Sequence, residues 1–322
     1  MKIYNRFTYG GEKTFFVVLT WIFMVVSLLY LGYKLISYDN YSTLINEWKL
    51  IPPTRFYWLG LLFVLLPFNW ITEALKWKII VSVTQKLSLS QAVKSVLAGY
   101  STGFFTPNRI GDLVGRLFFL ESSNRKTGIT LSLISSLTQN IVIALCGIPA
   151  AILFFSYKFN EVKPHLNNYF IFTSIIVLLF LMLFLWLPQL AKKNKITRIN
   201  GYIKGFENYS LSKSLLILFM SLLRFTIFSF QFYALLHFFG VPLLFEQAFV
   251  AIPANYLFVT FTPSFAFAEP AIRGSYAVFF IGSFSAQTVG VALAGVSIWV
   301  VNYVFPMLLG YTFLLNHSSK KL

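Results

Sequence analysis

Apolar residues run along this chain in long stretches, broken at a few places by charge, glycine and proline. Six stretches, over about 14–36, 55–80, 129–155, 169–190, 212–239 and 286–315, reach the length of helix, about 20 residues, that spans a bilayer. Two further regions, about 91–121 and 246–282, are apolar but contain a Thr-Pro pair, glycines or a second proline, and charge near their middles. A continuous lipid-facing helix tolerates such interruptions poorly, because unsatisfied backbone groups in hydrocarbon are costly. The pattern predicts a pair of short helices in each region, meeting at the Thr-Pro turn and dipping into the membrane from one side. Threonine caps helices, and proline suits a first turn where its missing N–H costs nothing. Thr106-Pro107 and Thr262-Pro263 are therefore expected to start the second short helix of each hairpin.

These two regions are related. Gln91-Ala92 through Phe105-Thr106-Pro107 recurs as Gln247-Ala248 through Phe261-Thr262-Pro263 at a constant offset of 156 residues, with seven of seventeen positions identical. Each copy then carries an acid four residues before an arginine: Asp112 and Arg116, then Glu269 and Arg273. The same offset carries the first three apolar stretches onto the last three, so each half reads span, span, hairpin, span. Three crossings per half is an odd number, which inverts the second half relative to the first. The expected fold is all-α and polytopic: two inverted-topology repeats, each of three spanning helices and one re-entrant helical hairpin. Residues 1–322 form a single integral membrane domain, with repeat A at about 14–155 and repeat B at about 169–315. Residues 192–210 alternate basic with apolar positions, as in an amphipathic helix lying on the membrane surface.

Composition agrees with this class. Hydrophobic residues make up 57% of the chain and charged residues 11%, against about 25% charged in soluble domains. The net charge of +16 is read as lysine and arginine held at an anionic membrane surface, not as nucleic-acid binding. With the N-terminus inside, nineteen basic residues fall on the cytoplasmic side or in the inward-opening hairpin and six on the other. That asymmetry predicts a cytoplasmic (inner) membrane protein with both termini in the cytoplasm. The first apolar stretch, from Phe15 to Tyr33, is too long for a signal peptide and reads as a span. Cys146 is the single cysteine, and His165, His237 and His317 share no ligand spacing, so neither a metal site nor a cofactor is expected. No P-loop pattern is present, which argues against direct use of ATP.

The candidate chemistry lies in ionisable residues at membrane depth, which are costly there and tend to pair or to line cavities. They are Glu73, Lys76, Arg109, Asp112, Arg116, Arg224, Glu269 and Arg273. One reading is a polar groove in which arginines and the helix starts at Thr106-Pro107 and Thr262-Pro263 hold an anionic headgroup. The other is structural: Asp112–Arg116 and Glu269–Arg273 neutralise each other as i,i+4 pairs, and Glu73 and Lys76 pair one turn apart. Arg109 has no obvious local partner, and it either contacts phosphate or extends to the inner surface. Arg224 stands alone in the fifth span, a position that favours lining a cavity.

At these residues a family is recognisable. Asn69-Trp70, Glu73 and Lys76-Trp77, followed by Gly103-Phe104-Phe105-Thr106-Pro107-Asn108-Arg109-Ile110-Gly111-Asp112 and Arg116, resemble the membrane domain of lysylphosphatidylglycerol synthases. Stand-alone relatives of that domain are called flippase-like. Thr262-Pro263-Ser264, Glu269 and Arg273 resemble the family's later proline–glycine–glutamate segment, with Phe265-Ala266-Phe267-Ala268 replacing the usual glycines. The resemblance implies a domain that moves a lipid between leaflets. In the synthases a soluble aminoacyl-transferase domain follows; the chain given ends at Leu322, so that domain is expected to be absent. The expected partner is a phospholipid or polyprenyl-phosphate-type lipid, with protein partners unspecified. The alternative function is a membrane-embedded transferase or accessory factor in lipid-linked glycan assembly. Against catalysis, the chain has ten acids in all and no Asp-x-Asp or Ser/His/Asp constellation.

Overall fold

The computed structural model describes residues 4–39, 41–42, 45, 51–106, 109–159, 166–193 and 209–318. Helix is the regular structure of these residues, with no strand among them. The long helices are α1 (Tyr4–Ile36), α2 (Pro53–Val81), α5 (Arg125–Lys158), α6 (Leu166–Lys193) and α7 (Leu211–Phe238). Between α2 and α5 lie α3 (Leu89–Phe104) and a five-residue helix, α4 (Gly111–Gly115), which tightens into a 3₁₀ turn at Arg116–Phe119. After α7 come α8 (Phe245–Phe261), α9 (Glu269–Phe280), α10 (Thr288–Trp299) and α11 (Phe305–Ser318). A π turn at Val300–Val304 joins the last two. Pro306 follows that turn and has no N–H to return to the carbonyl four residues back, so the backbone widens there.

Among the described residues, five helical stretches are long and apolar enough to cross a membrane: Val18–Ile36, Pro53–Val81, Ser122–Lys158, Leu211–Phe238 and Thr288–Asn316. Each matches an expected span. The remaining one, 169–190, lies within α6, a helix of 28 residues. Bulky apolar side chains cover the outside: Leu29, Ile36, Tyr57 and Phe249 are all more than two-thirds exposed. Such a surface suits hydrocarbon as solvent. This is a multi-pass membrane protein. The surface helix expected over 192–210 falls, but for its ends, outside the described residues.

The interior is unusual in its polarity. On α2 the buried positions Leu62, Leu66, Asn69, Glu73, Lys76, Trp77 and Ile80 recur at helical spacing, so one stripe carries both oil and charge. It faces α7, whose buried side includes Ser214, Ile217, Ser221, Phe225 and Phe232. The hairpin helices exchange partners: α3 packs on α11, and α8 packs on α5. The α3–α11 contact is close enough that a Cβ on Gly310 would lie 1.9 Å from the Leu97 carbonyl oxygen. At the α5–α8 contact, Phe154 and Phe155 meet Phe258 and Phe280 in a cluster of tilted and edge-on rings.

The expected helix starts at Thr-Pro are corrected here. In the second hairpin, Thr262 ends α8: its N–H bonds to the Phe258 carbonyl at 3.1 Å, and its Oγ1 donates to the same oxygen at 2.7 Å. Pro263 follows as a stop, and the next helix opens at Glu269 with Pro270 in its first turn. The preference for proline in a first turn holds, but at Pro270. In the first hairpin α4 starts at Gly111, and Thr106 reaches it from five residues away. The Thr106 Oγ1 accepts from the Gly111 N–H at 2.7 Å and donates to the Gly103 carbonyl at 3.0 Å. Pro107 lies outside the described residues.

Candidate functional site

Two carboxylates organise the charged interior. Glu73, on the buried stripe of α2 and 1% exposed, accepts from three cations. Lys76 Nζ stands at 2.8 Å, Arg116 Nη1 at 2.8 Å and Arg224 Nη1 at 2.7 Å, and Ser135 Oγ adds a hydrogen bond at 3.2 Å. Each partner comes from a different place: the same helix, the end of the first hairpin, α7 and α5. A carboxylate so far from water keeps its charge only because cations and donors surround it. Lys76 also donates to the Ser135 carbonyl at 3.2 Å, which fixes it behind Glu73, away from the cavity.

The second hub is Glu269, at the start of α9. Arg109 forks onto it, Nε to Oε1 at 2.9 Å and Nη2 to Oε2, while Arg273 Nε approaches Oε2 at 3.4 Å from one turn along. Arg109 therefore has a partner, far away in sequence and across the fold, which no local reading of the sequence could supply. Its backbone sits at φ 58°, a left-handed conformation that costs a non-glycine residue energy and is retained where surrounding contacts enforce it. The Arg109 guanidinium also lies 3.2 Å from the centre of the Tyr303 ring, with that of Arg273 at 4.9 Å. Tyr303 lies within the π turn.

Both local pairs form as well. Arg116 grips Asp112 at 2.8 Å while it also reaches Glu73. Asp112 lies flat against α3 because position 99 is glycine: a Cβ there would stand 2.0 Å from its Oδ1. Arg224 is fully engaged. It donates from Nε to Asn69 Oδ1 at 3.0 Å, from Nη1 to Glu73 and from Nη2 to Tyr100 Oη at 2.6 Å. Asn69 in turn donates to Asn302 at 2.7 Å and to Gln231 at 3.3 Å.

These groups line one cavity of about 610 Å³. Glu73, Arg109, Asp112, Arg116, Arg224, Glu269 and Arg273 reach it, as do Thr262 and Pro263; Lys76 and Thr106 do not. Apolar side chains, among them Leu19, Phe104, Phe261 and Trp299, complete the lining. Among the described residues, no group of three or more His, Cys, Asp or Glu side chains could hold a metal ion. What the site offers is a set of fixed guanidiniums in a low-dielectric interior, able to bind an anion.

Sequence reasoning passed over Tyr100, Asn69, Asn302 and Tyr303 as site residues. Tyr100 had a signal, since it is one of the positions identical in both copies, and its counterpart Tyr256 lines the same cavity. Asn302 and Tyr303 lie outside the duplicated segment and had no such signal; the fold brings both to the cavity.

The sequence matches the family described as "Lysylphosphatidylglycerol synthase TM region" over residues 14–310. The chain belongs to that family. Its charged hubs thus sit inside the lysylphosphatidylglycerol synthase transmembrane region itself, and a function concerned with membrane lipid follows at that level. Neither the characterised proteins nor the solved structures searched contain a match to this chain.

Proposed function

We propose that the protein moves an anionic or phosphate-linked lipid between the leaflets of the cytoplasmic membrane, with the headgroup passing through the charged cavity. The observation that carries this reading is the cavity itself: four arginines and three carboxylates line one space of about 610 Å³ inside a membrane protein. That volume suits a small polar ligand, in the range of about 300–1,000 Å³ typical of binding sites, and so a headgroup more than a whole lipid. Acyl chains would leave past apolar lining residues such as Leu19, Phe104, Phe261 and Trp299.

The route between leaflets rests on the repeats. In this reading the two halves are inverted, and α3–α4 and α8–α9 are re-entrant hairpins that open to the cytoplasmic and outer sides, with both termini in the cytoplasm. The partner exchange supports it, because α3 on α11 and α8 on α5 are equivalent contacts under the 156-residue offset. Among the described residues, two ion pairs cross between the halves, Arg224–Glu73 and Arg109–Glu269. Alternating access works by breaking the second: it joins the tips of the two hairpins, and an incoming anion competes for Arg109. The left-handed backbone at Arg109 favours its release.

The test is native mass spectrometry of the full chain, purified gently from its membrane. An anionic lipid bound at a stoichiometric level is expected. Repeated recovery of the folded protein with no lipid, or with zwitterionic lipid alone, contradicts the reading.

A further inference from the structure

Which anion fits can be read from the charge balance. Around the two hubs stand five cations, Lys76, Arg109, Arg116, Arg224 and Arg273, and three carboxylates, Glu73, Asp112 and Glu269. With every group in its usual ionised state, the cluster carries an excess of two positive charges, and no further acid among the described residues lines the cavity. Buried charge without a counter-charge is costly, and the cost grows steeply as the dielectric falls.

The open donors are concentrated at one end. Arg116 and Arg224 use all three guanidinium nitrogens on protein partners. Arg273 is 8% exposed and lines the cavity, yet only its Nε is engaged, at a long 3.4 Å; its two terminal nitrogens make no hydrogen bond among the described residues. One terminal nitrogen of Arg109 likewise makes no hydrogen bond among the described residues, beside the same Tyr303 ring. A fork of donors facing a cavity matches the oxygens of a phosphate.

We infer that the Arg273–Tyr303–Arg109 end of the cavity binds a doubly negative phosphate monoester, as carried by a lipid that ends in a terminal phosphate. This rests on the translocation reading and narrows it. A dianion closes the charge balance. A phosphodiester such as phosphatidylglycerol, with one charge, leaves half of the excess, and an aminoacylated headgroup, with its added cation, leaves more.

The experiment measures binding to the purified full chain in detergent by calorimetry, with phosphatidic acid, phosphatidylglycerol and soluble glycerol 3-phosphate as probes, at pH 8 and pH 5.5. Phosphatidic acid is expected to bind more tightly than phosphatidylglycerol by about tenfold at pH 8, for the extra charged contact. Most of that preference should vanish at pH 5.5, below the second phosphate pKa of about 6. Arg273→Gln should abolish the preference, whereas Arg273→Lys should keep it with weaker binding of both lipids. Glycerol 3-phosphate binding as tightly as phosphatidic acid assigns the dianion to a soluble source; much weaker binding assigns it to a lipid. Equal affinity for the two lipids, or a preference unchanged by pH in the unmodified protein, overturns the dianion and leaves translocation standing. Binding of neither lipid by folded protein overturns both.

Discussion

Removing the Glu73 carboxylate should do more damage than any other single change in the charged interior. Glu73→Gln keeps the shape of the side chain and takes away the charge shared by Lys76, Arg116 and Arg224 at 2.7–2.8 Å. Deleting one partner of a buried ion pair costs about 3–5 kcal/mol, mostly the penalty of leaving the other charge uncompensated. The low end applies, since Arg116 keeps Asp112, and Arg224 keeps Asn69 and Tyr100. Lys76 is the exception: 0% exposed, it is left with only the Ser135 carbonyl. At about 2 °C per kcal/mol for a chain of this size, the midpoint of a thermal unfolding scan in detergent should fall by about 6 °C. Adding Lys76→Met removes the stranded cation, and the double variant should recover about half of the loss, because the two side chains are coupled. A single variant that melts with the unmodified protein, or a double variant lower than the sum of its parts, would show that Glu73 is not the hub described.

Three further outcomes follow from the same contacts. Gly310→Ala sets a methyl group 1.9 Å from the Leu97 carbonyl oxygen and should cost about 1–3 kcal/mol, read as a lower melting midpoint, since backbone must shift to admit it. Tyr303→Leu removes the ring beneath both Arg109 and Arg273 and should weaken binding of phosphatidic acid by about tenfold, while Tyr303→Phe keeps the ring and should bind within about twofold of the unmodified protein. Pro270→Ala, in the first turn of α9, should change stability by less than about 0.5 kcal/mol, because the N–H it restores has no helical partner to find.

The long spans were legible because a bilayer demands helices of one length, and that demand is written in hydropathy. Both i,i+4 pairs were legible too, as local geometry alone brings Asp112 to Arg116 and Glu269 to Arg273. Long-range pairing was not. Nothing near Arg109 in the chain names Glu269 as its partner, and nothing near Arg224 names Glu73; each pair exists because helices from different halves pack together. The helix start at Glu269 was missed for a different reason. Two prolines, Pro263 and Pro270, compete for the first-turn position, and sequence similarity between the hairpins favoured the wrong one. Tyr303 lies in a π turn, and the one residue that points to that turn, Pro306, reads in the sequence only as an interruption of an apolar span.

Lipid translocation can be measured in liposomes that contain the purified protein and a headgroup-labelled anionic lipid, with a membrane-impermeant quencher added outside. The unmodified protein should expose label from the inner leaflet at a rate well above that of protein-free vesicles. Arg109→Ala and Glu269→Ala, which break the pair between the hairpin tips, should each change that rate by about tenfold or more while the protein stays folded. A rate equal to that of protein-free vesicles would contradict lipid translocation, and a rate untouched by either substitution would show that the lipid takes another path.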